Sequence, residues 1–221
     1  MTMIERLLPA GAVAVEAFGD VPDEPVFPGE EHLIARAVDS RRREFVTARR
    51  CAREALARLG HPPAPILPGP KHEPRWPAGV VGSITHTAGF RAAAVAPRTV
   101  LASIGIDAEA NAPMPDGVLE MVTVPGEPEM VEGLARVTPT THWGRLLFSA
   151  KESVYKAWYP LTGRWLGFEE ARLTVDPAER AFTAHLLTDG ARTDGGPSLT
   201  VLHGRFAVDR GVIATAVTVA P

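Results

Sequence analysis

The chain has 221 residues, 45% of them apolar, enough to bury the core of one ordinary domain or two small ones. Its formal net charge of −3 speaks against general nucleic-acid binding, which calls for a basic excess. A single cysteine, Cys51, rules out an internal disulfide framework and fits a reducing compartment. No apolar run is long enough to span a membrane and no basic n-region precedes one, so a cytoplasmic protein is expected.

In chain order, Ala12 to Phe18 reads as a short strand, followed by a proline- and acid-rich loop to Gly29 and a short helix over Glu31 to Val38. From Ser40 to Leu59 the residues Phe45, Ala48, Ala52, Ala55, Leu56 and Leu59 make an apolar helical stripe. Ser40 is its expected N-cap, and Gly60-His61-Pro62-Pro63 its stop. The same helix carries Arg41, Arg42, Arg43, Arg49, Arg50, Arg53 and Arg58, a solvated basic face or a grip for phosphate, since arginine forks suit phosphate oxygens. Pro62 to Pro77 is a stiff loop. Val80 to Thr85 and Phe90 to Ala96 read as strands around His86-Thr87-Ala88-Gly89.

Val100 to Asp107 is apolar and β-branched enough for a further strand, with Gly105 marking a close backbone approach. If the extended geometry runs on, Asp107 and Glu109 project to one side. Two carboxylates so placed repel unless a proton or cation intervenes, and magnesium suits oxygen ligands completed by phosphates and water. Asn111 to Thr141 mixes prolines with apolar residues and reads as an ordered interdomain loop or a docking surface. In the stretch from 143 to 158, Trp143, Leu146, Leu147, Ala150, Val154, Ala157 and Trp158 form a buried helical face. Arg145, Ser149, Glu152 and Lys156 form a second, polar stripe. After a break at Tyr159 to Gly163 come strands at Ala171 to Val175, Ala181 to Leu187, Leu199 to Phe206 and Val212 to Val219. Helix followed by strands thus occurs twice, which predicts two α+β halves with a cleft between them.

Together Gly105-Ile106-Asp107-Ala108-Glu109 and the run Phe148 to Trp158 (F-S-A-K-E-S-V-Y-K-A-W) resemble the signature of the Sfp/EntD-type 4'-phosphopantetheinyl transferases. The family pairs G-[IV]-D-x-E with W/F-x-x-K-E-[AS]-x-x-K, and every acidic and lysine position is matched here. The likeness continues through R-R-x-E-F-x-T-x-R-x-C-A-R around Phe45 and G-S-I-T-H-T-A-G around Thr85, and is strongest to the mycobacterial type II member.

The resemblance implies an α+β fold with a pseudo-twofold duplication, each half a helix packed on a small antiparallel sheet, with residues 1–110 and 111–221 as the halves. It implies transfer of the 4'-phosphopantetheine arm of coenzyme A to a serine of acyl or peptidyl carrier proteins by a monomer, with no nucleic acid or membrane involved. Asp107, Glu109 and Glu152 would hold Mg2+, with Glu152, Lys156 and Asp107 as the catalytic set. Coenzyme A would be held by Arg41, Arg49, Lys71, Thr85, His86, Asp107, Lys151, Glu152 and Lys156, His86 contacting its 3'-phosphate. The mycobacterial relative is expected to carry a lysine where this chain has Pro68, leaving Lys71 to supply that charge. Two other readings use the same residues: a magnesium-dependent nucleotide pyrophosphohydrolase and a coenzyme A-binding module without catalysis.

Overall fold

The computed structural model describes residues 1–221. Strand β1 (Val13–Phe18) and helix α1 (Asp39–Arg58) precede β2 (Val80–Thr87), β3 (Phe90–Pro97) and β4 (Ser103–Ala110). Three helices follow, α2 (Val118–Val122), α3 (Glu127–Val137) and α4 (Trp143–Thr162), then β5 (Ala171–Asp176), β6 (Ala181–Leu186), β7 (Val201–Asp209) and β8 (Val212–Val219). All strand pairing is antiparallel, in a three-stranded sheet of order β1-β3-β2 and a five-stranded sheet of order β4-β8-β7-β6-β5. The α+β class with two halves, each a helix on a sheet, is what the sequence led us to expect.

Side-chain alternation sorts the core into layers. The apolar stripe of α1 packs on Val15, Ala93 and Val95 of the small sheet. The opposite face of that sheet, Phe90, Ala92 and Ala94, meets Ile104, Ile106 and Ala108 of β4 and Ala214 and Ala216 of β8. Beyond the large sheet lies α4, whose Trp143, Leu147, Val154 and Trp158 pack on Phe206, Ile213 and Val217. Strand β3 runs between two layers, and its alanines keep both of them close.

Strand β4 extends through Glu109, but it starts at Ser103 because residues 97–101 make a turn, with Val100 and Leu101 both donating to Pro97 O. Its hydrogen-bonded neighbour is β8, in the second sheet, although it lies in the first of the two expected halves. On its other side it meets β2 through side chains: Ile106 N donates to Ser83 Oγ at 3.1 Å, and Ala108 N to Thr85 Oγ1 at 2.9 Å. These hydroxyls stand where backbone carbonyls of a continuous sheet would be.

Several local expectations are corrected. Helix α1 begins at Asp39, one residue before Ser40, and no side chain caps it; the acid in its first turn faces the positive end of the helix dipole instead. The expected short helix near residue 31 is a single 3-10 turn, Glu31–Ile34. The proline-rich stretch after Asn111 contains α2 and α3; Pro128 lies in the first turn of α3, where a missing N–H costs nothing. Helix α4 continues past Pro160 to Thr162 and ends at Gly163, whose φ of 66° suits glycine. No helix is long and apolar enough to cross a membrane.

Gly105 sets the distance between α4 and β4. A Cβ added there would sit 1.9 Å from Ser153 O and 2.6 Å from Ala157 N. Both are helix backbone and cannot swing aside, so helix and strand touch main chain to main chain. Gly105→Ala should cost about 1–3 kcal/mol, as overpacking does. The check is the urea midpoint, and an unchanged midpoint would show that the helix can ride outward freely.

Candidate active site

Because β4 alternates, Ser103, Gly105, Asp107 and Glu109 all face α4. Ser103 Oγ donates to Ala157 O at 2.8 Å, and the polar stripe of α4 answers the acids in turn. Lys156 Nζ lies 2.7 Å from Asp107 Oδ1 and 3.2 Å from Ile106 O. Arg145 reaches Glu109 Oε2 at 3.4 Å and also donates to Pro113 O. Ser149 Oγ pairs with Thr215 Oγ1 on β8 at 3.0 Å. The remaining member, Glu152, lines the cleft beside Lys156.

That cleft has a volume of about 350 Å³. One wall is α4, with Glu152, Tyr155, Lys156 and Tyr159; the other brings Arg41 and Arg49 from α1, Lys71 from the proline-rich loop and His86 from β2. His86 lies inside the strand, one residue before its end, where alternation turns it away from the buried Thr85. Arg41 Nη1 approaches His86 Nε2 at 2.6 Å. Arg49 stacks 3.7 Å above the Phe45 ring and donates to Ile66 O at 3.2 Å, and burial pulls its guanidinium down to about 10, so it stays charged at neutral pH. Its charge faces Glu30, which is fully buried and accepts from Arg53 and from Ile66 N at 2.7 Å each. Glu30 was not singled out from the sequence, and it ties α1 to the loop that carries Lys71.

The acids are poised rather than satisfied. Asp107 is only 6% exposed, and its Oδ2 is buried without a hydrogen-bond partner. Burial pushes Glu109 above the usual carboxylate range, and the charge of Asp107 adds to the push. Glu152 is raised as well, first by burial; Lys156 draws it back and Asp107 pushes it up. The three carboxylates therefore feel one another, with one orphaned oxygen among them, although no three acids or imidazoles are gathered into a ready-made metal cage.

Of the residues expected at the ligand, Asp107, Thr85 and Lys151 do not line the cleft; Asp107 lies behind Lys156, which pairs with it. Thr85 is 2% exposed; its hydroxyl accepts from Ala108 N and lies 3.4 Å from Asp107 Oδ1, so it braces the carboxylate from behind. Lys151 is 3% exposed and does not line the cleft: its Nζ donates to Phe168 O at 2.9 Å and pairs with Glu127 Oε2 at 2.8 Å. Adjacent helix residues point about 100° apart, so Lys151 and Glu152 cannot share one face. Lys151 falls between Leu147 and Val154 on the apolar stripe. Glu127, itself 1% exposed, also accepts from Val124 N and Leu173 N, which locks α3, α4 and β5 together. The sequence signal for this pair was a lysine at an apolar-face position, which demands a buried counter-charge.

Comparison with known proteins bears directly on this cleft. The model of the 4'-phosphopantetheinyl transferase N-terminal domain matches residues 29–96, and that of the 4'-phosphopantetheinyl transferase superfamily matches residues 103–206. The chain belongs to the 4'-phosphopantetheinyl transferase family. The transferase is 57% identical to 4'-phosphopantetheinyl transferase Svp of Streptomyces mobaraensis, over 99% of this chain and 89% of the relative. It is 48% identical to Npt of Nocardia iowensis, over 99% of this chain and all of the relative. With PptT of Mycobacterium tuberculosis the identity is 47%, over 98% and 97% of the two chains. The two matched segments meet at the cleft: the first supplies Arg41, Arg49, Lys71 and His86 to its lining, and the second supplies Glu152 and Lys156 and carries Asp107 and Glu109 on the strand behind them.

Removing one member of the buried pair should be costly for stability. Glu127→Gln leaves Lys151 uncompensated and should lose about 3–5 kcal/mol in urea unfolding. The double change Glu127→Leu with Lys151→Met should recover most of that loss.

Proposed function

We propose that the transferase moves the 4'-phosphopantetheine arm of coenzyme A to a serine hydroxyl on an acyl or peptidyl carrier protein and releases 3',5'-ADP. The single observation that carries this reading is one cleft that gathers Arg41, Arg49, Lys71 and Lys156, cations suited to phosphates, beside Glu152, with Asp107 paired to Lys156 behind its wall. Asp107, Glu109 and Glu152 fit a magnesium ion: the buried Oδ2 of Asp107 lacks a partner, and burial with mutual repulsion holds Glu109 and Glu152 up, a tension that a dication would relieve. When bound, magnesium supplies positive charge to the pyrophosphate oxygens.

The protein's own residues do the rest. Arg41, Arg49, Lys71 and His86 hold the nucleotide phosphates, and Lys156, on the rim between cleft and Asp107, offsets charge gathering on the reacting phosphate. Serine oxygen forms a bond to phosphorus, the bridging P–O bond breaks, and its electron pair leaves with 3',5'-ADP. The serine proton goes to Glu152, the carboxylate of the acid set that lines the cleft. Lys151 acts through its buried pair, holding α4 at the rotation that turns Glu152 inward, and Thr85 steadies Asp107. Both sides of the cleft come from one chain, which supports a monomer; the setting we propose is the cytoplasm, with no nucleic acid or membrane as partner.

The deciding test is the intact mass of an apo-carrier protein incubated with the transferase, coenzyme A and magnesium. A gain equal to the phosphopantetheine arm is expected, whereas 3',5'-ADP release without any carrier would make the protein a hydrolase. Glu152→Gln should lower turnover by roughly a hundredfold or more while nucleotide binding persists. Burial and the charge of Arg41 hold His86 below its usual range, so it is mostly neutral at pH 7 in the free protein, and a phosphate dianion would raise it. Coenzyme A binding near neutral pH should therefore take up a proton, read by calorimetry in buffers of different ionisation enthalpy.

A further inference from the structure

His86 does not stand alone in the cleft. A guanidinium only donates, so the 2.6 Å contact from Arg41 Nη1 makes His86 Nε2 an acceptor and puts the ring proton on Nδ1. Nδ1 faces Glu44 Oε2 at 3.6 Å. The same carboxylate lies 3.5 Å from Arg41 Nη1, and its other oxygen 3.6 Å from Arg91 Nη2. Arg91 is itself fixed: it is 4% exposed, forks onto both oxygens of Asp20 at 3.0 and 2.9 Å, and donates to the carbonyls of Thr87 and Phe90. Glu44 thus sits at the hub of three nitrogen groups, two of which line the cleft.

The electrostatics at His86 are one-sided. Arg41 on α1, Arg91 on β3 and Lys156 on α4 all oppose its protonation, and Glu44 on α1 is the group that favours it. A histidine meant to grip a phosphate dianion as an imidazolium needs such a counter-charge behind it.

We infer that Glu44 is a positioning residue for the phosphate grip: its carboxylate faces the Nδ1 side of His86 and pairs with the guanidinium of Arg41, so that Nε2 and Arg41 together meet the 3'-phosphate of coenzyme A. In the free protein Arg41 rests on Nε2. When the ligand binds, Arg41 turns to phosphate oxygen, Nε2 takes up a proton and donates, and Glu44 faces the resulting cation. Glu44 touches no ligand; the negative charge that it places near a phosphate site is kept for the sake of His86. This inference rests on the coenzyme A reading of the cleft.

The experiment compares wild type, Glu44→Gln, Glu44→Asp and His86→Ala, with coenzyme A and its 3'-dephospho form as ligands. Glu44→Gln should raise KM for coenzyme A by roughly tenfold, leave kcat within about twofold, and change KM for the 3'-dephospho form little. The loss should deepen from about pH 6 to pH 8, as the imidazolium becomes harder to form without its counter-charge. Glu44→Asp should recover part of the affinity. Unchanged or tighter coenzyme A binding in Glu44→Gln overturns the inference, as does an equal loss with both ligands, which marks a merely structural role. If His86→Ala also fails to distinguish the two ligands, the 3'-phosphate reading itself falls; if His86→Ala distinguishes them and Glu44→Gln does not, only the role of Glu44 falls.

Discussion

The site depends on how closely α4 lies against β4, and Gly105 sets that distance. With no Cβ between them, Ser153 O and Ala157 N rest on the strand, and the helix cannot rotate without losing the contact. At that separation a lysine one turn along reaches Asp107 at 2.7 Å, and the arginine at the other end of the stripe reaches Glu109. A wider gap would leave the acids and the cations of α4 in separate shells of solvent, where such pairs contribute little. The chemistry of the cleft is therefore a consequence of backbone packing, and Glu152 inherits its orientation from it.

A second constraint is charge. Like charges concentrated on one wall of a cleft destabilise the folded chain until a ligand of opposite sign arrives. Here each excess has a counter-charge: Glu30 behind Arg49 and Arg53, Glu44 between Arg41 and Arg91, Lys156 against Asp107, and Glu127 beneath Lys151. What is left over is the carboxylate of Glu152 and the outward faces of the cations, which line the cavity, and one buried oxygen of Asp107 behind Lys156.

The elements that could be read from the sequence are those in which one period dominates. Apolar spacing found α1 and α4, and short apolar runs bounded by turn residues marked β2, β3 and β8 within a few residues. The pairing of Asp107 with Glu109 and the close approach at Gly105 followed from alternation and from the size of glycine. What stayed hidden depended on partners distant in sequence. Lys151 looked like a ligand contact because it adjoins Glu152, yet the 3.6-residue period sends the two to different faces, and nothing local announced Glu127 as its companion. Thr85 looked like a neighbour of His86 for the same reason, and in a strand adjacent residues point opposite ways. Helix α3 was masked by the prolines in and around it, although Pro128, the one within it, sits harmlessly in the first turn.

The seam between the two sheets has a further meaning. Where β2 meets β4, hydroxyls of Ser83 and Thr85 take the place of main-chain acceptors. A carbonyl belongs to every residue and cannot be mutated away, whereas a hydroxyl is one codon change from absence. The junction of the lobes is thus written in side chains, so the angle between them is open to selection while the ladder inside each sheet stays untouched. Two sheets joined in this way keep their own ladders whatever side chains stand at the seam.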